Sequence, residues 1–235
     1  MNLISIIIPV YNRPEAFQKT LASVLRQTYT NIEVIVVDDG SDIDLTTLPP
    51  NHLTTDKRVK MFRQENQGAP VARNRGFDES KGEFVIFIDA DVVLESDMIE
   101  KMYNILIEQQ DIDFVYCNFK LDAKLMRAKP FSLEELQKIN FISPMSLMRR
   151  TIFPRFDEYL KKFQDWDLFL MIAKCGGGGY WIDETLFSTF SGGTMSSWLP
   201  RFAYKKPWKY LPWFRKNVKK YEEAKQIIVE KHQLI

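Results

Sequence analysis

Three short apolar runs, each closed by polar residues, constrain this chain more than anything else in it. Leu3–Pro9 (LISIIIP) leads to Tyr11 and Asn12, Ile32–Val37 ends at Asp38-Asp39-Gly40-Ser41, and Phe84–Ile88 ends at Asp89-Ala90-Asp91. Such runs are the pattern of strands buried on both faces of a parallel sheet. Between them the spacing turns helical. Asn12 and Pro14 open a helix carrying Phe17, Leu21, Val24 and Leu25 to about Arg26, and Pro70 stands in the first turn of another over residues 70–80. Val59–Arg63 adds a short strand between them. Strands alternating with helices predict an α/β fold with a doubly wound, mostly parallel sheet flanked by helices. Ligands of such sheets bind beyond the carboxyl ends of the strands, where strand order reverses. The polar residues stand at those ends.

Downstream, Ser96 is placed to cap a helix with Ile99, Met102, Tyr103, Leu106 and Ile107 on one face. Phe114–Leu121 reads as a strand, Ser132-Leu133-Glu134-Glu135 as a capping box, and Asp165–Ala173 as a buried helix stopped by Gly176–Gly179. Tyr180–Phe190 returns as a strand. Trp198–Trp213 is rich in Trp, Tyr, Lys and Arg, and an amphipathic helix follows from Pro212 to about His232.

At 235 residues and 45% hydrophobic, the chain supports one core and is no disordered or low-complexity sequence. No apolar run approaches the roughly 20 residues of a membrane span, and Met1–Pro9 lacks the basic start of a leader. Cys117 and Cys175 have neither metal-ligand nor redox spacing, so a cytoplasmic location is expected. The net charge of +1 argues against nucleic acid as a partner. The charge is uneven, however, with ten basic and three acidic residues from Arg201 onward on an otherwise acidic chain.

Four groups could carry chemistry. Asp89 and Asp91 flank one residue after a buried strand, an arrangement able to hold Mg²⁺ or Mn²⁺ with diphosphate oxygens completing the shell. The plainer reading is a strand end that caps the next helix. Asp38 and Asp39 are placed to accept hydrogen bonds from a nucleoside, or simply to make an Asp-Gly turn. Arg73 and Arg75 share one short helix, where one could reach a nucleotide and both could equally face solvent. Asp165, on the first turn of a packed helix, suits a general base or an N-cap. Gly176–Gly179 runs helix, glycines, strand, the wrong order for a phosphate loop. His52 and His232 do not read as ligands.

Together these segments resemble glycosyltransferase family 2. The matching residues are Ser5–Asn12 (SIIIPVYN), Ser23–Thr28 (SVLRQT), Val36–Ser41 (VVDDGS), Asn66-x-Gly68 with Ala72-Arg73-Asn74-x-Gly76, Gly82–Asp91 (GEFVIFIDAD) and Phe156–Leu170 (FDEYLKKFQDWDLFL), in collinear order over residues 3–196. The resemblance implies a GT-A fold and an inverting sugar transfer from a nucleotide diphosphate donor, uridine foremost, to an acceptor hydroxyl. It implies a catalytic domain over residues 1–197, with a nucleotide-sugar half to 110 and an acceptor half from 111, then a basic aromatic extension over 198–235. Pro9, Tyr11 and Asp39 would line the nucleoside site with Asp38 beside them, and Arg73 would lie near the base or phosphate. Asp89, Ala90 and Asp91 would face the donor, Asp91 and Asp89 holding Mn²⁺ or Mg²⁺, and Asp165 would be the base. The acceptor would be a saccharide, lipid-linked in one version, in cell-envelope polysaccharide or glycan synthesis.

The chain departs from the pattern at Gln164, where many members carry an acid, at Val92 after the Asp-x-Asp, and at Ser191–Ser196 (SGGTMS), which lacks a histidine. Two rival readings are a phosphatase of the haloacid-dehalogenase type, on Phe84–Leu94, and a non-catalytic nucleotide-sugar-binding or membrane scaffold module. The extension admits two readings: peripheral attachment to an anionic membrane surface, or packing of its helix on the catalytic domain with the lysines facing solvent. In either case Phe214, Val218, Tyr221 and Ile228 are the apolar face, and Trp198, Trp208, Tyr210 and Trp213 stand among the basic residues.

Overall fold

A computed structural model describes residues 1–43, 45, 55–190 and 211–234. In chain order the elements are β1 (Ile4–Val10), α1 (Pro14–Leu25), β2 (Ile32–Asp38), β3 (Val59–Arg63), α2 (Ala69–Asp78), β4 (Phe84–Phe87), β5 (Val92–Leu94), α3 (Met98–Glu108), β6 (Phe114–Leu121), β7 (Lys124–Met126), α4 (Leu133–Lys138), β8 (Leu147–Arg149), α5 (Gln164–Lys174), β9 (Gly179–Thr189) and α6 (Pro212–His232). Among the described residues the strands form one sheet in the order β3-β2-β1-β4-β8-β6-β9-β5, with β7 paired to β6.

The first half is the predicted doubly wound unit. β1 pairs in parallel with β2 on one side and β4 on the other, and β2 with β3. The chain therefore runs outward from β1 and returns beside it, which makes the gap past β1 and β4 the switch point. The second half is less parallel than expected: β8 runs antiparallel to both β4 and β6, and β5 antiparallel to β9. β5, β7 and β8 are each three residues long, too short to declare a period in sequence.

Alternation along β1 divides the core. Ile4, Ile6 and Ile8 pack toward α1 and α3 with Phe17, Leu21, Met102 and Leu106. Ile7 packs on the opposite face with Ala72 of α2, Leu136 of α4, Phe169 of α5 and Ile228 of α6. Gly76 of α2 lies so close to Ile7 that any Cβ there would overlap the Ile7 side chain.

Some expectations change. The residue at the start of α3 is Asp97, without a side-chain cap. Ser96 instead accepts the Thr28 N–H through its carbonyl, and Ile107 is exposed. α5 starts after Phe163, which adopts a left-handed conformation (φ 61°); Asp165 therefore lies inside the first turn and is no N-cap. Ser132 does cap α4, accepting the Glu135 N–H. Trp198–Tyr210, Ser191–Ser196 and His52 lie outside the described residues.

Candidate active site

The loops after β1 and β2 are tied to each other. Asn12, left-handed at φ 52°, donates its backbone N–H to Ser41 Oγ (2.9 Å) and exchanges side-chain and backbone bonds with Asp42. Gly40 has φ 76°, and a Cβ there would come within 2.7 Å of the Asn66 nitrogen. Only glycine meets both demands at low cost.

Asp38 and Asp39 take different roles. Asp38 is fully buried, accepting from Ser41 N (2.9 Å) and Arg63 Nη1 (2.6 Å), with Leu45 N at 3.3 Å. Its carboxylate therefore holds the turn. Asp39 accepts from Gln64 Nε2 and Gln67 N through one oxygen and from Gly68 N through the other, joining the end of β2 to the loop that enters α2. Tyr11 is exposed and Pro9 partly so, leaving a surface beside Asp39.

Arg73 turns inward and Arg75 outward. Arg75 donates to the Arg63 carbonyl (2.7 Å) over the Phe62 ring. Arg73 is 3% exposed, stacks on Phe156, and forks between Asp89 Oδ1 (2.7 Å) and Gln164 Oε1 (3.3 Å). That fork joins the Asp-x-Asp turn to the start of α5. Arg73 Nε is the buried side-chain polar atom without a hydrogen-bond partner among the described residues, a state that typically costs about 1–3 kcal/mol. On the other side of Ala90, which is buried, Asp91 pairs with Arg13 from the start of α1. Burial and the Asp89 charge push the Asp91 carboxyl above the ordinary carboxylate range, against the pull of Arg13.

The segment after Asp91 is held by Thr20 together with Ser23 and Gln27 of the Ser23–Thr28 motif. Thr20 Oγ1 accepts from Val92 N and donates to Val92 O, Ser23 Oγ accepts from Leu94 N, and Gln27 bonds Glu95 O and Ile99 N. These side chains, on α1 and just past its end, fix β5 and with it the Asp-x-Asp turn.

Each residue of the first turn of α5 is pinned by a different element. Gln164 meets Arg73. Asp165 Oδ2 accepts from Asn140 Nδ2 (2.8 Å). Trp166 Nε1 donates to the Leu136 carbonyl (2.6 Å). Asp167, fully buried, meets His232 Nε2 (2.7 Å) and Lys231 Nζ (2.9 Å) from the last turn of α6. Burial raises the Asp165 carboxyl above the ordinary carboxylate range, with the Asp89 charge adding to the effect and nearby backbone N–H groups and Arg73 opposing it. Asn140, Arg13 and the Asp167–His232 contact gave no sequence signal, because each pairs residues far apart in the chain.

The profile described as Glycosyl transferase family 2 matches residues 5–175. The chain belongs to that family. Glycosyltransferase GlyG of Streptococcus pneumoniae is 36% identical over 118 residues, covering 50% of this chain and 39% of GlyG. An uncharacterized glycosyltransferase of Rickettsia conorii, RC0461, is 32% identical over 206 residues, covering 81% of this chain and 33% of its own. The chain thus spans well under two thirds of either relative. In structure, residues 1–349 of S. aureus TarS in complex with UDP-GlcNAc superpose with a TM-score of 0.68 at 24% identity, over 85% of this chain and 62% of that one. The Pyrobaculum calidifontis mannosyltransferase PcManGT, in complex with GDP-Man and Mn²⁺, gives 0.61 at 17% identity, over 80% and 56%. The fold is GT-A, as family membership implies, and the phosphatase reading is set aside.

Proposed function

We propose that this chain is an inverting glycosyltransferase that moves a sugar from a nucleotide diphosphate donor, a UDP-sugar, to a saccharide hydroxyl in cell-envelope polysaccharide or glycan synthesis. The observation carrying this reading is the Arg73 fork, which unites Asp89 at the donor end with the Gln164-Asp165 turn. The complexes of TarS with UDP-GlcNAc and with UDP support uridine over the GDP-Man seen in PcManGT. In this reading residues 1–110 bind the donor, residues 111–197 the acceptor, and residues 198–235 are an extension.

Pro9, Tyr11 and Asp39 line the nucleoside site, with Asp38 shaping it from beneath. Arg73 offers its unpartnered Nε–H and a fixed positive charge to donor oxygens. Among the described residues no cluster of three or more His, Cys, Asp or Glu could hold a metal unaided. Asp89 and Asp91 nevertheless fit a Mn²⁺ or Mg²⁺ site, because such ions are commonly held by one or two carboxylates plus substrate phosphates. A cation bound there would offset the charge of the departing diphosphate. Asp165 takes the proton of the acceptor hydroxyl as its oxygen attacks the anomeric carbon opposite the diphosphate, so one displacement inverts that centre.

Thermal-shift titration with UDP, GDP and dTDP, with and without Mn²⁺, tests the donor assignment; stabilisation by GDP or dTDP over UDP would reassign the nucleoside. Asp165→Asn is expected to lower kcat by about 10²–10⁴-fold while UDP affinity holds. Near-normal kcat in that variant would move the base elsewhere. The same assay separates the scaffold reading, which requires no turnover from the unaltered chain.

A further inference from the structure

The side-chain donor on the Asp165 carboxylate comes from a residue that no motif contains. Asn140 lies two residues past the end of α4, in the loop that leads to β8. Its Nδ2 donates to Asp165 Oδ2 at 2.8 Å, and its Oδ1 accepts the Ile142 N–H at 3.1 Å. The amide has two donors on one end and an acceptor on the other, so these two bonds of opposite polarity admit one orientation. Turning the group over would face oxygen to carboxylate and NH₂ to N–H. The loop is held as firmly as the amide. Ile142 is 2% exposed within the core, and the indole of Trp166, next to Asp165, bonds the Leu136 carbonyl of α4.

We infer that Asn140 is a positioning residue for the base, fixing the torsion of the Asp165 carboxylate and favouring its ionised form. The inference rests on Asp165 being the base. A carboxylate's terminal torsion is broad when nothing holds it, and proton transfer requires its oxygen within hydrogen-bond reach of the acceptor hydroxyl. Donation to a carboxylate also favours its charged form. Burial works against that form at Asp165, as does the charge of Asp89, whereas the backbone N–H groups of Asp165 and Trp166 and the Arg73 charge favour it. On the same turn, Asp167 is engaged by Lys231 and His232. Loss of the Asn140 donor should therefore misorient the base and keep it protonated to higher pH.

Two substitutions in the full chain separate this role from loop packing. Asn140→Asp retains an oxygen for the Ile142 N–H but presents an acceptor to Asp165, whereas Asn140→Ala removes both contacts. With the preferred UDP-sugar and Mn²⁺, both variants should lose about 10- to 100-fold in kcat with donor KM within about twofold of the original. The acid limb of the kcat profile should move up by about one pH unit, further in Asn140→Asp. UDP-induced thermal shifts confirm that each variant is folded, and if Asn140→Asp does not fold, Asn140→Ala alone carries the test. Unchanged kcat and acid limb in folded variants, with Asp165→Asn inactive, would overturn the inference and leave the base assignment standing. Full activity of Asp165→Asn would overturn both.

Discussion

At the residue scale, the site is a set of charges whose partners were chosen by the fold. Asp89 and Asp91 sit two apart, yet each meets a different arginine, from α2 and from the start of α1. Asp91→Ala is expected to abolish transfer and to weaken binding of the UDP-sugar with Mn²⁺, with the fold intact by circular dichroism; full activity of this variant in chelator would remove the metal from the proposal. Glu33 offers a test away from the site. Burial alone would raise its carboxyl, but the Lys81 N–H, the Lys60 ammonium and the Ser5 hydroxyl outweigh burial and hold it below the usual glutamate value. The unfolded chain therefore binds a proton at Glu33 more readily than the folded one. Its contribution is complete above the ordinary carboxylate range and is lost as pH falls through that range. Urea midpoints at pH 7 and pH 4 should differ less in Glu33→Gln than in the original chain. Asp39, Asp89, Asp91 and Asp165 were legible because strand and helix ends betray themselves in sequence. Asn140 was not, because a side chain 25 positions away leaves no local pattern.

At the scale of elements, α6 changes the meaning of its own sequence. The amphipathic period was legible from Pro212 to His232, and the helix has those bounds. What its apolar face covers was not legible, since periodicity names a face and never its partner. In the structure Tyr221 packs edge-on against Phe163, Lys225 lies over Trp166, and Val218 and Ile228 are buried. Of the two readings of that face, the one that packs it against the protein therefore holds, while His232, passed over as a tail residue, seals Asp167. His232→Ala leaves a buried carboxylate with Lys231 as its side-chain partner on α6, a loss of about 2 kcal/mol. That corresponds to a fall in Tm of roughly 4–8 °C for a chain of this size, readable by calorimetry. The short strands β5 and β8 escaped for the opposite reason: three residues are too few to show a period, and β5 is fixed by bonds from Thr20 and Ser23.

For the whole molecule, the sheet divides labour at β1 and β4. Parallel strands on one side end in the residues proposed for the donor, and the mixed strands and α5 on the other frame Asp165, the proposed base. No helix among the described residues is long and apolar enough to cross a membrane. With the inner face of α6 occupied, what remains outward at its start is Trp213, 85% exposed, beside Arg215, Lys216, Lys219 and Lys220. This basic face supports attachment to an anionic surface through charge and one aromatic anchor, each cation contributing on the order of 1 kcal/mol. Cosedimentation with phosphatidylserine vesicles should be strong at low salt and fall at high salt. Equal binding to neutral vesicles would refute the electrostatic version.

The seal on Asp167 also sets an order in time. Its carboxylate emerges from the ribosome 64 residues before Lys231 and 65 before His232. At common rates of synthesis that gap is roughly 3 to 13 s. Throughout that interval the parallel strands that carry Asp39 and Asp89 can already be paired, whereas the helix bearing Asp165 still has a bare negative charge facing the core. The nascent protein can pair the strands that carry Asp39 and Asp89 well before the turn that carries Asp165 and Asp167 is neutralised, and a chain cut ahead of residue 231 would leave the Asp167 carboxylate without either of its α6 partners.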